Sequence, residues 1–160
     1  MTPEKAKSLG RKYSLQSAIY IFIILQLALL LSETSGDFAN GILFYIENQM
    51  NTFSITLYVV CFLSFIFLGN RAGLKIIIHK ANAIKIGIVH TCFTTVLLLA
   101  FLSIPLYEVL NMKGFYVISE KRQAISNFLL LSSSAFILFL LGWLLSVYRI
   151  KRMSSETIEA

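Results

Sequence analysis

Gly69-Asn-Arg-Ala-Gly-Leu-Lys-Ile-Ile-Ile-His-Lys-Ala-Asn-Ala-Ile-Lys-Ile-Gly-Ile-Val-His90 separates two long apolar runs, carries both histidines of the protein, and sets Arg71, Lys75, Lys80 and Lys85 along its length. Basic residues at such intervals suit a segment lying on a membrane surface between two spanning helices. Leu74 to Ile78 would then lie flat, with the lysine ammonium groups among anionic headgroups and the isoleucines below them. Gly69 and Gly73 have the four-residue spacing that lets membrane helices approach closely. Asn70 favours a turn and Arg71 sits at the membrane boundary, so the two glycines are read as a helix end.

The composition points to lipid as the solvent. Hydrophobic residues make up 57% of the 160 and charged residues 14%, with a mean hydropathy of +0.76, and the apolar residues fall in uninterrupted runs. The net charge of +6 would serve nucleic acid only if it were gathered on one soluble face. Here the basic residues flank the apolar runs, where anionic headgroups account for them, and no nucleic-acid partner is expected. Cys61 and Cys92 both lie within apolar runs. A structural disulfide belongs in the outer loops, which hold no cysteine, so both thiols are read as packing residues.

Toward the N-terminus, the second run has its apolar core at Phe53 to Leu68, with Ser54, Tyr58 and Cys61 on one inward face, and no breaker interrupts it from Ile42 onward. Glu33 to Asn51 holds three acids and no Lys or Arg, with turn signals at Ser35-Gly36-Asp37 and Asn40-Gly41. The first run, at about 13–32, is roughly 20 residues, or about 30 Å of helix, the thickness of a hydrocarbon core. Residues 1–12 form a basic tail ahead of it, and Leu30 and Ser32 make a poor cleavage pair, so the run is an uncleaved span. Gln16, Tyr20 and Gln26 are expected to bond to neighbouring helices.

Toward the C-terminus, a third run at about 83–107 places Gly87, His90, Thr91 and Thr94 on roughly a third of the helix circumference. This is the most polar face inside any run. Glu108 to Gln123 is the second outer loop, with an apolar patch at Phe115-Tyr116-Val117-Ile118. The fourth run, about 124–150, carries Ser132, Ala135, Gly142 and Ser146 on one narrow strip suited to close helix packing. Trp143 and Tyr148 lie toward its inner end, as interfacial aromatics do. Arg149, Lys151 and Arg152 stop the span, and 151–160 is a short tail.

The expected fold is therefore an all-α integral membrane protein, a four-transmembrane-helix bundle with spans at about 13–32, 50–69, 83–107 and 124–150. The first tail, the middle segment and the final tail hold 11 Lys or Arg, against 3 in the alternate loops. That asymmetry puts both termini and the middle segment in the cytoplasm, most naturally at a plasma or inner membrane.

Enzymatic chemistry finds little support. Asp37, the only aspartate, falls on the opposite side from His79, so no Ser-His-Asp set can assemble. His79 and His90 are eleven residues apart, about 16 Å even along one helix, too far to share a metal. No cofactor or metal is expected, and no catalytic residue is assigned. The primary expectation is a non-enzymatic subunit or regulator that binds itself or a larger membrane protein. Arg71, Lys75, Lys80 and Lys85 would contact a partner or lipid, and Ser132, Ala135, Gly142 and Ser146 would pack within the bilayer. The alternative is a homo-oligomeric pore or small-solute transporter with a polar path past His90, Thr91 and Thr94. A haem-carrying redox subunit using His90, and a membrane-damage sensing or immunity protein, rank below these.

Overall fold

The structure, a computed structural model, describes residues 1–34, 38–111 and 117–156. These residues form five α-helices: α1 (Pro3–Glu33), α2 (Phe38–Gln49), α3 (Thr52–Gly73), α4 (Ala83–Asn111) and α5 (Val117–Glu156), with a π-helical turn at Leu74–Ile78. No strand occurs among the described residues. Four helices, all but α2, are long and apolar enough to cross a membrane. The turn expected at Ser35-Gly36-Asp37, residues 112–116 of the segment expected as the second outer loop, and residues 157–160 lie outside the described residues.

The elements begin and end for local reasons. Thr2 caps α1 through its hydroxyl, which accepts from the Lys5 amide, and Pro3 occupies the first helical position, where a missing N–H costs nothing. The basic tail anticipated over 1–12 is thus already helix, and Ala6 and Gly10 within it are buried. Asn40-Gly41, expected as a turn, lies inside α2. A break falls instead at Met50-Asn51, where the Asn51 side chain accepts from the Ser54 amide at 2.8 Å and starts α3. That interaction satisfies one of the orphan donors of a helix N-terminus. α4 starts the same way, with the Asn82 carboxamide oxygen accepting from the Ile84 and Lys85 amides. It continues past Pro105 to Asn111.

The reading of Gly69 to Ile78 needs correction. The chain does not turn at Gly69: α3 runs through both glycines and passes directly into the π-helical turn, whose Leu74 carbonyl accepts from the His79 amide at 3.3 Å. Ile76 and Ile77 are buried in a protein core with Ala6, Ala72, Ala83, Ile86, Val147 and Ile150, so they do not dip into lipid from a flat surface helix. The reversal comes at Lys80, whose φ of 52° is the left-handed conformation, and the Ala81 amide closes back onto the Lys75 carbonyl. Closing a helix end through a left-handed residue is a normal way to stop it, and here the loop is one residue wider than the usual 6→1 bond, following the π-helical turn.

Packing explains why the glycines sit inside a helix. α1 and α3 cross with backbone against backbone. A Cβ built on Gly10 would lie 2.1 Å from the Gly69 carbonyl oxygen, and one on Gly73 would lie 2.1 Å from that of Ala6. Ser14 sits beside Gly69 on the same seam. Small residues at four-residue spacing on both helices permit this approach, which is how apolar helices gain contact when lipid already solvates their surfaces. A second core, Ala18, Ile21, Phe65, Leu68, Leu98, Phe139 and Trp143, joins all four long helices farther along.

Candidate functional site

Every sequence-selected residue is described, and they divide into three groups. His90, Thr91 and Thr94 lie on one face of α4 and are all buried. The Thr91 hydroxyl donates to the Gly87 carbonyl, and the Thr94 hydroxyl lies within hydrogen-bond distance of the His90 carbonyl. The face is closed by α5. Trp143 meets the His90 ring edge to face at 4.8 Å, and its indole N–H donates to the Thr94 hydroxyl at 3.3 Å. On its other side Trp143 stacks on Phe65, ring centroids 4.5 Å apart. Trp143 is fully buried, not at an interface as its position suggested. A path past His90 therefore meets a packed indole within the chain.

The α5 strip is used internally as well. The Ser146 hydroxyl is hydrogen-bonded to that of Ser14 at 2.9 Å, both buried, and Gly142 receives the Ile21 side chain of α1. Ala135 lines an apolar cavity of about 80 Å³ between the four long helices, together with Tyr58, Cys61 and Phe62. Ser132 is half-buried and donates to the Phe128 carbonyl. Gly142 and Ser146 are thus committed to α1 and unavailable to a partner helix.

The third group remains exposed. Arg71, Lys75, Lys80 and Lys85 all present their side chains outward, with the Arg71 guanidinium 4.9 Å from the Phe67 ring. Antiparallel pairing brings the N-terminal end of α1 to the same end, because Gly10 meets Gly73 there. The C-terminal end of α5 joins them: Arg149 lies over Tyr20 of α1 at 5.6 Å. One end of the bundle is consequently cationic.

A hydrogen-bonded group at the opposite end of α1 was only half legible. Gln26 was expected to bond to a neighbour; the neighbours are Tyr45 and Gln49 of α2, with Tyr45 donating at 2.5 Å, and Tyr58 of α3 donates to Gln49. Three buried polar atoms have no partner among the described residues: the Ser17 hydroxyl, the Thr95 hydroxyl and His90 Nδ1.

Comparison with known proteins returned no matching family model, no matching curated protein and no matching solved structure.

Proposed function

We propose that this chain is a non-enzymatic multi-pass membrane protein that acts as a subunit or regulator through helix contacts with itself or with a larger membrane complex. The observation that carries this reading is the uneven burial of α5. Its inner half is packed into the chain from Phe139 to Ile150, whereas none of its described side chains from Ile118 to Leu138 is buried. Leu129, Leu130, Ser133 and Ile137 are exposed there, and the Ser133 and Ser134 hydroxyls are satisfied by carbonyls of their own helix. Such a surface offers a second helix close contact with no desolvation of unpaired groups.

Both termini and the cationic end face the cytoplasm in this reading, where the 11 basic residues against 3 would hold them, and anionic headgroups surround that end.

The test is a mass measurement on the protein extracted in native lipid particles from its own host. A fixed homo-oligomer or a co-extracted larger membrane protein supports the reading. Ser133→Leu with Ile137→Trp would then reduce the assembly. A lone chain in every particle overturns it.

A further inference from the structure

We infer that the cleft between the π-helical turn and the first two turns of α4 binds the phosphate and glycerol region of an anionic phospholipid. The cleft has a volume of about 210 Å³, and its wall includes Lys75, Asn82, Lys85, Ile86, Val89 and His90. Both lysines are exposed at the side-chain level, and every charged group in the wall is cationic. The Asn82 carboxamide oxygen is occupied in capping α4, which leaves its NH₂ to donate outward. The amide end of α4 adds the positive pole of a long helix. These groups form the upper level of the cleft and match a phosphate.

His90 supplies the lower level. It is 6% exposed, and its Nδ1 is sealed from solvent with no hydrogen-bond partner. Leaving a buried ring nitrogen unpaired is costly, and His90 lines the cleft, so a small turn of the ring toward an occupant that offers a polar atom removes that cost. His90 lies seven residues into α4, about 10 Å below the helix start. A free phosphate held by the lysines has nothing to place at that depth. A phospholipid does, since ester carbonyls follow its phosphate toward the bilayer. Val89, 56% exposed, gives the acyl chains an apolar exit. The two-level order of donors, cationic above and imidazole below, is what selects a lipid over a soluble anion.

This inference rests on the membrane reading but not on the existence of a protein partner, so it is tested on the isolated full-length chain. Lipid retention is measured by native mass spectrometry from detergent, with phosphatidylglycerol, phosphatidylcholine and inorganic phosphate as the three probes. One phosphatidylglycerol is expected to be retained in preference to phosphatidylcholine. Lys75→Gln with Lys85→Gln should weaken that retention by roughly tenfold or more, on the scale of headgroup attraction per basic residue. Lys5→Gln with Lys7→Gln removes the same charge from exposed positions on α1 and should leave retention unchanged. Equal losses in the two pairs would show diffuse attraction and overturn the site. Retention of inorganic phosphate without lipid would move the ligand to a soluble anion and overturn the lipid assignment. His90→Gln, which keeps a donor, should retain the lipid better than His90→Phe. Indistinguishable retention by these two would remove His90 from the site.

Discussion

At the scale of single residues, the glycines are not equivalent, and the distances around each say which way a substitution goes. At Gly10 and Gly73 a Cβ meets backbone at 2.1 Å, and backbone cannot rotate away as a side chain can. Gly10→Ala and Gly73→Ala should each destabilise the chain by about 2 kcal/mol or more, since the seam must open along its length. Thermal unfolding in detergent, followed by helical circular dichroism, measures this. Gly87 provides the contrast: a Cβ there meets the Val147 methyl at 3.3 Å and the Leu144 methyl at 3.4 Å. Those neighbours can yield, and alanine is favoured over glycine within a helix by about 1 kcal/mol. Gly87→Ala is therefore expected to leave the unfolding temperature unchanged or raise it. Lys80 presents the converse case, a long side chain at a φ of 52° where glycine carries no steric penalty. Lys80→Gly should stabilise by about 1 kcal/mol in the same assay. A fall in stability would mean that the ammonium group holds something worth more than the backbone strain.

At the scale of helices, all four long helices run through both cores, and Trp143 is where α5 packs against the other three in the second. The indole is fully buried, touches α3 through Phe65 and α4 through His90 and Thr94, and sits beside Gly142, which receives α1. Trp143→Ala should cost about 3–5 kcal/mol, in the range of large-to-small changes in a packed core. Trp143→Phe, which keeps the stack but abandons the Thr94 hydroxyl, should cost less. The same unfolding measurement ranks them. The element scale also shows what was legible in the sequence. Four long apolar helices could be read because each run is near the ~20 residues that a bilayer demands, and the shared face of His90, Thr91 and Thr94 followed from helical period alone. Trp143 was misplaced because proximity to Arg149 outweighed its period: Phe139, Trp143, Val147 and Ile150, all buried, recur at core spacing. Gly69 and Gly73 were misread for a different reason. A helix end and a helix seam have the same local sequence, and the deciding residue, Gly10, lies in a stretch whose lysines made it resemble a solvated tail. The Asn51 break was passed over although it had a signal: Glu47-Asn48-Gln49-Met50-Asn51 is a polar stretch just ahead of the apolar core, and Asn is among the favoured N-cap residues. The cleft at Lys75 and His90 was beyond reach, since it depends on the chain reversing at Lys80.

At the scale of the whole molecule, helix length and charge placement have to be reconciled. α1 has 31 residues and α5 has 40, about 46 Å and 60 Å of helix, against a hydrocarbon core of about 30 Å. Both must extend beyond the lipid. At the cationic end the excess of α1 is not free helix: it carries Lys5, Lys7, Arg11 and Lys12 on a backbone locked to α3 by Gly10 and Gly73. The basic residues there are thus fixed to the rigid part of the bundle, and a span cannot reverse without carrying them across. This makes the orientation testable with few controls. After Cys61→Ser and Cys92→Ala, a single cysteine at Thr2 should stay unlabelled by a membrane-impermeant thiol reagent in intact cells and react once the cells are opened. A cysteine at Glu108, beyond the opposite end of the third span, should react in intact cells. The reverse pattern would sink the cytoplasmic assignment of the cationic end. Labelling of both sites in intact cells would mean a mixed population, which the charge asymmetry is there to prevent. Replacing Lys75, Lys80 and Lys85 with Gln should leave most molecules correctly oriented, because eight of the 11 basic residues remain on that side.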